Sequence, residues 1–199
     1  MRERISDKLR AGAYDHIAEI AELKRSGYYP LLLKAYDELR TEYLYVSRVH
    51  GQSHVERVML LAAVIAMQQR FSQRETELLL IACSYHDVGR LDDSVDDAHG
   101  ERSADLLRSI PLPELGESEL RCIQAAVATH STKDERLASF TKTYRVPEES
   151  TELCRLLCRG LKDADKLDRV RIRDLEVRHL HFRESKALKP TAEAIFEIG

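Results

Sequence analysis

Six side chains along this sequence have the chemistry of metal ligands. They are His54, the adjacent pair His86 and Asp87, His99, His130 and Asp165. Four of the five segments that carry them have the apolar spacing of a helix whose buried face includes the ligand. Burying an unpaired charge costs several kcal/mol or more, whereas a bound cation turns that cost into binding energy. The pattern therefore predicts a metal site in the protein interior.

The spacing within each helix indicates that the ligands share one interior. His54 lies four residues before Val58, and His130 lies three residues after Val127, spacings that put two side chains on one helical face. A lone histidine on such a face is more often a hydrogen-bonded core residue than a ligand. Four such coincidences on separate helices favour ligation for the set. Mixed nitrogen and oxygen ligands suit Mn, Fe, Zn, Co or Ni rather than Ca.

The elements that must position these ligands are helices almost throughout. Apolar stripes at helical spacing predict helices over 5–23, 31–46, 53–70, 72–86, 99–110, 118–130 and 151–170, followed by a helical tail in two pieces separated near Pro190. Ser72 and Glu75 are spaced as a capping box, and Gly89 is expected to stop the helix that carries His86. Strand patterns are nearly absent. The sequence predicts an all-α, single-domain helical bundle.

Within that bundle we expect three parts. Residues 1–46 form N-terminal helices that pack on or cap the core, residues 47–175 form the metal-binding core, and residues 176–199 form a helical tail. Tyrosines of the N-terminal helices, such as Tyr36 and Tyr43, suit core packing, a cap over the pocket or a homodimer interface.

Composition narrows the classes of partner and compartment. The net charge of −3 gives no broad basic field, which argues against binding nucleic acid. No apolar run is long enough to cross a bilayer, and no apolar block follows the charges at 1–4. Four cysteines lie in helical patterns without a CxxC spacing: Cys83, Cys122, Cys154 and Cys158. Buried, reduced thiols in a cytoplasmic protein without a membrane anchor are the expectation.

Three strings resemble the ordered H…HD…D signature of the HD-domain superfamily: Ser53–Val58 (SHVERV), Ser84–Arg90 (SYHDVGR) and Asp163–Asp168 (DADKLD). The resemblance implies an all-helical fold that holds one or two divalent metals, mostly in phosphohydrolases and phosphodiesterases. It makes His54, His86, Asp87 and Asp165 the core ligands, with Asp87 as the bridge if two metals bind. Asp163 competes with Asp165, which is preferred for its helical phase and because it begins a D-x-x-D string.

Two further histidines decide the number of metals. In two-metal members of the superfamily, extra histidines follow the HD pair and lie on a later helix. His99 and His130 resemble those positions, although a solvated loop is the alternative for His99. His50, four residues before His54, is a candidate for a gate or for orienting a ligand.

The resemblance implies a metal-dependent phosphohydrolase that cleaves a phosphate ester, of a nucleotide or a related small metabolite, with a metal-activated water. The divalent ion would be Mn, Fe, Co, Ni, Zn or Mg. Asp87 would act as the catalytic bridge, and Arg90 and Lys166 are the preferred cations for the substrate phosphate. Arg57 and Arg102 are weaker candidates for that role, because a solvated or ion-paired surface position explains them better.

Two other classes of function stay open at this point. Some HD-fold proteins with two irons and the same six-ligand pattern are oxygenases that cleave a C–P or C–C bond. The ligand residues do not separate these oxygenases from hydrolases, but metal identity does. A non-catalytic, metal-bound adaptor is the third possibility, and six intact ligands argue against it.

Overall fold

The protein is an all-α bundle, as its sequence predicts. The computed structural model describes residues 3–199, which contain α-helices and short 3-10 helices and no strand. The α-helices are α1 (Ile5–Arg10), α2 (Ala18–Lys24), α3 (Tyr28–Glu38), α4 (Gln52–Gln69), α5 (Gln73–Tyr85), α6 (His99–Leu106), α7 (Glu117–His130), α8 (Leu137–Thr143), α9 (Thr151–Leu167), α10 (Arg183–Ala187) and α11 (Lys189–Ile198).

Helix α4 is the centre of the bundle. Every residue from His54 to Ala66 is buried, and α1, α2, α3, α5 and α9 all pack against this helix. A helix that is buried all round needs partners for its polar residues. Glu56 is fully buried, and its carboxylate accepts hydrogen bonds from Arg4 Nε at 2.9 Å and from the Ser6 backbone N–H at 3.2 Å. These contacts fasten the N-terminal helices to α4.

The predicted helix over 5–23 is wrong in its middle. Helix α1 ends at Arg10 and α2 begins at Ala18, with Gly12 between them in the left-handed region at φ 84°. Ala13, which the stripe placed inside, is exposed, and Tyr14 is fully buried instead. Buried apolar residues at helical spacing therefore lie partly in turns and not in one helix. The turn forms at Gly12 because a glycine adopts positive φ at little conformational cost.

The second predicted helix also ends early. Helix α3 stops at Glu38, and a 3-10 turn at Thr41–Tyr43 follows. Leu39 and Leu44 are buried from this irregular segment, whereas Val46 is 94% exposed. The apolar spacing over 31–46 therefore extends past the end of the helix, because tertiary packing also buries apolar residues of the irregular segment.

Helix α5 begins and ends as the site requires. The Ser72 hydroxyl accepts from the Glu75 N–H at 3.2 Å, and the Glu75 carboxylate accepts from the Ser72 N–H at 2.7 Å, which completes the predicted capping box. The helix ends at Tyr85, so His86 is its C-cap and Asp87 lies in the following turn.

Gly89 allows α6 to approach this turn closely. A Cβ at Gly89 would lie 2.4 Å from the Ser103 backbone nitrogen and 2.7 Å from the His99 carbonyl oxygen. Both neighbours are backbone atoms, which cannot rotate away as a flexible side chain can. The missing side chain thus brings the first turn of α6 against the turn that carries Asp87.

The later helices follow the predicted order with local differences. Helix α7 begins at Glu117, one residue before the predicted start, with Gly116 as its N-cap, and the Glu119 carboxylate accepts from the Gly116 N–H at 2.8 Å. A 3-10 helix at Asp168–Ile172 continues α9. The tail has two helical pieces, and Pro190 lies in the first turn of the second, where its missing N–H is not needed.

Two further predictions concern the cysteines and membrane-spanning helices. The four cysteines are buried and free. Within residues 3–199, no helix combines the length and the apolar character that crossing a bilayer requires.

Replacing Gly89 by alanine should destabilise the protein, because the added methyl group must displace backbone atoms of α6. We expect Gly89→Ala to lower the free energy of unfolding by about 1–3 kcal/mol, the usual range for overpacking. Gly27→Ala is the matched control, since a Cβ at Gly27 meets nothing within 4 Å. Urea unfolding of both variants is the measurement, and equal midpoints would contradict the close packing described here.

Candidate metal centre

The six ligand candidates come from five elements and converge at one place. Each lies at or near the end of a helix. His54 is in the first turn of α4, His86 is the C-cap of α5 and Asp87 is in the next turn, His99 is the first residue of α6, His130 is the last of α7 and Asp165 is in the last turn of α9. Four of them are almost fully inaccessible, since His54, His86, Asp87 and His99 are each at most 5% exposed.

One group of ligand atoms surrounds Asp87 Oδ2. The Nε2 atom of His54 lies 3.5 Å from this oxygen and that of His86 lies 3.7 Å from it. The two Nε2 atoms are 3.2 Å apart. Asp165 Oδ1 completes the group at 3.4 Å from His54 Nε2 and 3.7 Å from His86 Nε2. We call these four residues the first ligand group.

A second group surrounds the other oxygen of the same carboxylate. His99 Nε2 lies 3.1 Å and His130 Nε2 lies 3.5 Å from Asp87 Oδ1, and the two nitrogens are 2.9 Å apart. Asp87, His99 and His130 form the second ligand group. Because Asp87 contributes one oxygen to each group, the arrangement suits two neighbouring cations joined by this carboxylate.

The donor atoms fit a metal better than they fit one another. Both carboxylate oxygens of Asp87 are buried without a hydrogen-bond partner among the described residues. An unsatisfied buried polar atom is costly, and an ionised one more so. Two pairs of imidazole nitrogens point at each other, although a pair shares at most one proton in a hydrogen bond. A divalent ion with mixed nitrogen and oxygen ligands satisfies all of these atoms together.

The remaining nitrogen of each histidine is held from outside the two groups. The Nδ1 atom of His54 lies 2.7 Å from Asp168 Oδ2, that of His86 lies 2.8 Å from the Cys83 carbonyl, that of His130 lies 2.6 Å from the Val127 carbonyl, and that of His99 contacts the Asp96 carbonyl. A carbonyl or an ionised carboxylate only accepts, so the proton of each neutral ring is assigned to Nδ1 and the Nε2 lone pair faces inward. This is the tautomer that a metal ligand needs.

Asp168 and Arg57 hold the ring of His54 in place, a contact that the sequence analysis did not predict. Asp168 is 1% exposed and accepts from Arg57 Nε at 2.6 Å, from Arg57 Nη2 at 2.9 Å and from Arg171 Nη1 at 3.3 Å. The bidentate pair fixes the carboxylate that orients His54. Arg57 is therefore engaged inside the protein and does not line the cleft where a phosphate would bind. The traces of this contact in the sequence are the D-x-x-D string that ends at Asp168 and the offset of three residues between His54 and Arg57.

The electrostatics of the two groups favour ionised carboxylates. Burial by itself would raise the pKa of Asp87, but the imidazoles of His86, His130, His54 and His99 outweigh it and hold this pKa well below its usual range. Burial would likewise lower the pKa of His54, and the nearby carboxylates of Asp165, Asp168 and Asp87 instead raise this pKa to about 10. The carboxylates thus favour positive charge at this place, as they would favour a bound cation, to which His54 would present a deprotonated Nε2.

Asp163 and Asp165 have different surroundings. The Asp163 carboxylate accepts from the backbone N–H groups of His181 and Phe182 at 2.8 and 2.9 Å, and its Oδ1 lies 2.6 Å from His181 Nδ1. It anchors the chain that leads into α10. Asp165 instead faces His54 and His86. The structure therefore brings Asp165, and not Asp163, to the first ligand group.

A cleft of about 410 Å³ opens onto the ligands. His99, His130 and Asp165 form part of its wall, together with Arg90 and Lys166. Arg90 Nε lies 3.0 Å from Asp87 Oδ2, outside hydrogen-bond geometry, and Lys166 Nζ donates to the His179 carbonyl at 2.9 Å. Both predicted cations are thus at the cleft.

Other candidates are placed less directly. His50 lines the cleft, with its Nδ1 atom 3.0 Å from Asp93 Oδ1 and its ring 5.8 Å from that of His54. Arg102 donates to the Gly89 carbonyl at 2.8 Å and pairs with Asp96, so it stabilises the loop after the HD turn. Among residues 3–199, none before His50 lines the cleft.

The comparison with protein families agrees with this geometry. A model of the HD domain matches residues 51–170, a range that includes all six ligand candidates. The chain belongs to the HD-domain family. Searches of curated proteins and of solved structures returned no match to it.

The two aspartates of α9 should differ in their effect on metal content. We expect Asp165→Asn to lose one metal per chain, because it removes a charged oxygen from the first ligand group. Asp163→Asn should keep every metal and instead lower the free energy of unfolding by about 1–3 kcal/mol through lost buried hydrogen bonds. Elemental analysis and urea unfolding measure the two effects. The opposite pattern would reassign the ligand to Asp163.

Asp168 should matter for metal affinity although it lies outside both ligand groups. We expect Asp168→Asn to weaken binding of one ion about 10–100-fold, the usual effect of losing a carboxylate that orients a ligand histidine. The second ion is the internal control, because His99 and His130 do not touch Asp168. Titration with Co²⁺ against a chromophoric chelator resolves the two steps. Equal weakening of both steps would indicate general damage to the fold instead.

Proposed function

We propose that this protein is a metal-dependent phosphohydrolase that cleaves the phosphate ester of a small metabolite. The observation that carries the proposal is the Asp87 carboxylate, whose two oxygens face two separate groups of ligand atoms at the floor of an open cleft. Membership of the HD-domain family supports it, because that superfamily consists mostly of metal-dependent hydrolases.

The residues that would hold the ions are the two ligand groups described above. Divalent ions bound there would lower the pKa of a bound water towards neutrality and stabilise charge on the oxygens of a displacement at phosphorus. Imidazole-rich sets suit Mn, Fe, Co, Ni or Zn, whereas Mg prefers oxygen ligands and water. The proposed cofactors are therefore one or two ions of the first kind, with two favoured by the shared Asp87.

Arg90 and Lys166 would bind the phosphate oxygens that do not react. The Arg90 side chain is 11% exposed, and its Nε atom lies 3.0 Å from Asp87 Oδ2, so the guanidinium lies at the inner end of the cleft. A guanidinium has five N–H donors and an ammonium has three. Lys166 uses one of its three for the His179 carbonyl, so two stay free for an anion.

Of the two competing classes, only the adaptor fits the structure less well. An adaptor has no need of an open cleft in which two cationic side chains, Arg90 and Lys166, lie beside an intact set of ligand residues. A di-iron oxygenase would use the same six ligands, so the geometry alone does not separate it from a hydrolase. Arg90 and Lys166 beside the ligands favour a phosphorylated substrate, and the experiment below separates the two reactions by their need for oxygen.

The first test combines metal content with activity. Protein purified without chelator in the absence of oxygen should contain close to two metals per chain and hydrolyse phenyl phosphate with Mn²⁺ or Co²⁺ under anaerobic conditions. Asp87→Ala should lose both metals and at least about 1000-fold in kcat/KM, since metal-ion stabilisation contributes several kcal/mol. His99→Ala should lose one metal. Asp105→Ala, an exposed acid whose carboxylate accepts only from Tyr144 at 3.1 Å, is the control.

Two results would overturn the proposal. Hydrolysis that is unchanged in Asp87→Ala would remove this site from the reaction. Two irons per chain, oxygen consumption with phosphorylated or hydroxylated compounds and no anaerobic hydrolysis would assign the protein to the oxygenases instead.

A further inference from the structure

We infer that the substrate is a hydroxyl-rich phosphate monoester, such as a sugar or polyol phosphate, and that Asp97 binds its hydroxyl groups. The inference rests on the proposed function and concerns the half of the cleft that lies away from the ligands. Its basis is the chemistry of the side chains that surround this half.

The outer half of the cleft is lined by hydrogen-bond acceptors. Beyond the ligands it contains the carboxylates of Asp93, Asp96, Asp97, Asp174 and Glu176 and the hydroxyls of Ser94 and Ser131. Carboxylates only accept when ionised, so they pair with groups that donate. Sugar hydroxyls donate, and two neighbouring hydroxyls can bind the two oxygens of one carboxylate.

The same wall offers no large aromatic ring. Among the described residues that line the cleft there is no Phe or Tyr, and the chain has no Trp. Proteins usually bind nucleobases by stacking them on aromatic side chains. Two lining histidines outside the ligand groups are held by carboxylates, His50 by Asp93 and His179 by Glu176. The apolar side chains of the lining are Val95 and Ile172, so a nucleotide would find room for its phosphate but no large aromatic ring on which to stack its base.

The charges at the mouth favour a single phosphate. Five carboxylates outside the ligand groups face only three cations, Arg90, Lys166 and Arg169. Arg169 pairs with Asp174, which leaves Arg90 and Lys166 near the ligands as the cations for an anion. A second phosphate or a polyphosphate chain in the outer half would meet like charge. The volume of about 410 Å³ also suits a small molecule.

Asp97 is the acceptor best placed to bind a hydroxyl group. Its carboxylate forms no ion pair within 4.0 Å and no side-chain hydrogen bond with any of residues 3–199, whereas Asp93, Asp96, Asp174 and Glu176 are all engaged. Its backbone carbonyl accepts from the Ser131 hydroxyl at 2.8 Å, which ties Asp97 to the residue after His130. The carboxylate is thus free, and the backbone that carries it is held beside the second ligand group.

Ribose 5-phosphate and AMP form a matched pair for the test, because they share the ribose and the phosphate ester and differ by the adenine. With the metal-loaded enzyme we expect kcat/KM for ribose 5-phosphate to exceed that for AMP at least about tenfold. Asp97→Ala should lower kcat/KM for ribose 5-phosphate about 10–100-fold, the usual effect of losing a charged hydrogen-bond partner. Phenyl phosphate, which has no hydroxyl group besides the phosphate, should change less than about twofold.

The controls separate this inference from the proposed function. Asp97→Ala must keep the metal content of the unmodified protein, and Asp105→Ala should leave the rates for all three esters unchanged. Equal or better turnover of AMP, or an equal loss with ribose 5-phosphate and phenyl phosphate in Asp97→Ala, would overturn the inference while leaving the phosphohydrolase in place. No hydrolysis of any of the three esters by protein that holds both metals would overturn the proposed function itself.

Discussion

The structure depends on one buried carboxylate that has no partner of its own. Asp87 is 3% exposed, and neither of its oxygens accepts a hydrogen bond from a described residue. The turn that carries it packs closely on α6, and α6 packs closely on α7, so a glycine is required at each contact. A Cβ at Gly100 would lie 2.6 Å from the Ser131 hydroxyl and 2.8 Å from the Val127 carbonyl, and a Cβ at Gly89 would meet backbone atoms of α6 equally closely. This packing is favourable only if something in the interior satisfies Asp87, as a bound cation would.

The position of each histidine on its helix explains how its ring is oriented. His86 and His130 lie at the C-terminal ends of α5 and α7, where the last carbonyls have no intrahelical donor. Each donates its Nδ1 proton to the carbonyl three residues earlier. This one hydrogen bond caps the helix end and also orients the ring so that Nε2 faces the other ligand atoms. His54 lies in the first turn of α4, and the nearby Gly51 carbonyl already accepts two backbone N–H groups, at 2.9 and 3.2 Å. It therefore needs a carboxylate from elsewhere, and Asp168 supplies it.

This difference sets the limit of what the sequence could predict. The spacing of histidines relative to apolar residues can be recognised in the sequence. Together with the HD signature, it predicted the fold and the six ligand candidates that the structure brings together. Asp168 and Arg57 are not visible in this way, because their pairing joins α4 to the 3-10 helix after α9, 111 residues along the chain. The break at Gly12 and the early end of α3 were missed for a related reason. Burial by tertiary packing produces the same apolar spacing in turns as in helices.

The charges of the cleft give the site a direction. With two divalent ions in place, Asp87 and Asp165 would neutralise only half of the metal charge, and Arg90 and Lys166 add to the positive inner end. The outer end carries an excess of carboxylates. An anionic group would thus be drawn to the ions while neutral donors would be accepted at the mouth, so a small molecule with both kinds of group would have a single favourable orientation. Ions held by the two ligand groups would supply the positive inner end of this gradient, and the acidic loop that follows Asp87 in the chain supplies much of its negative outer end.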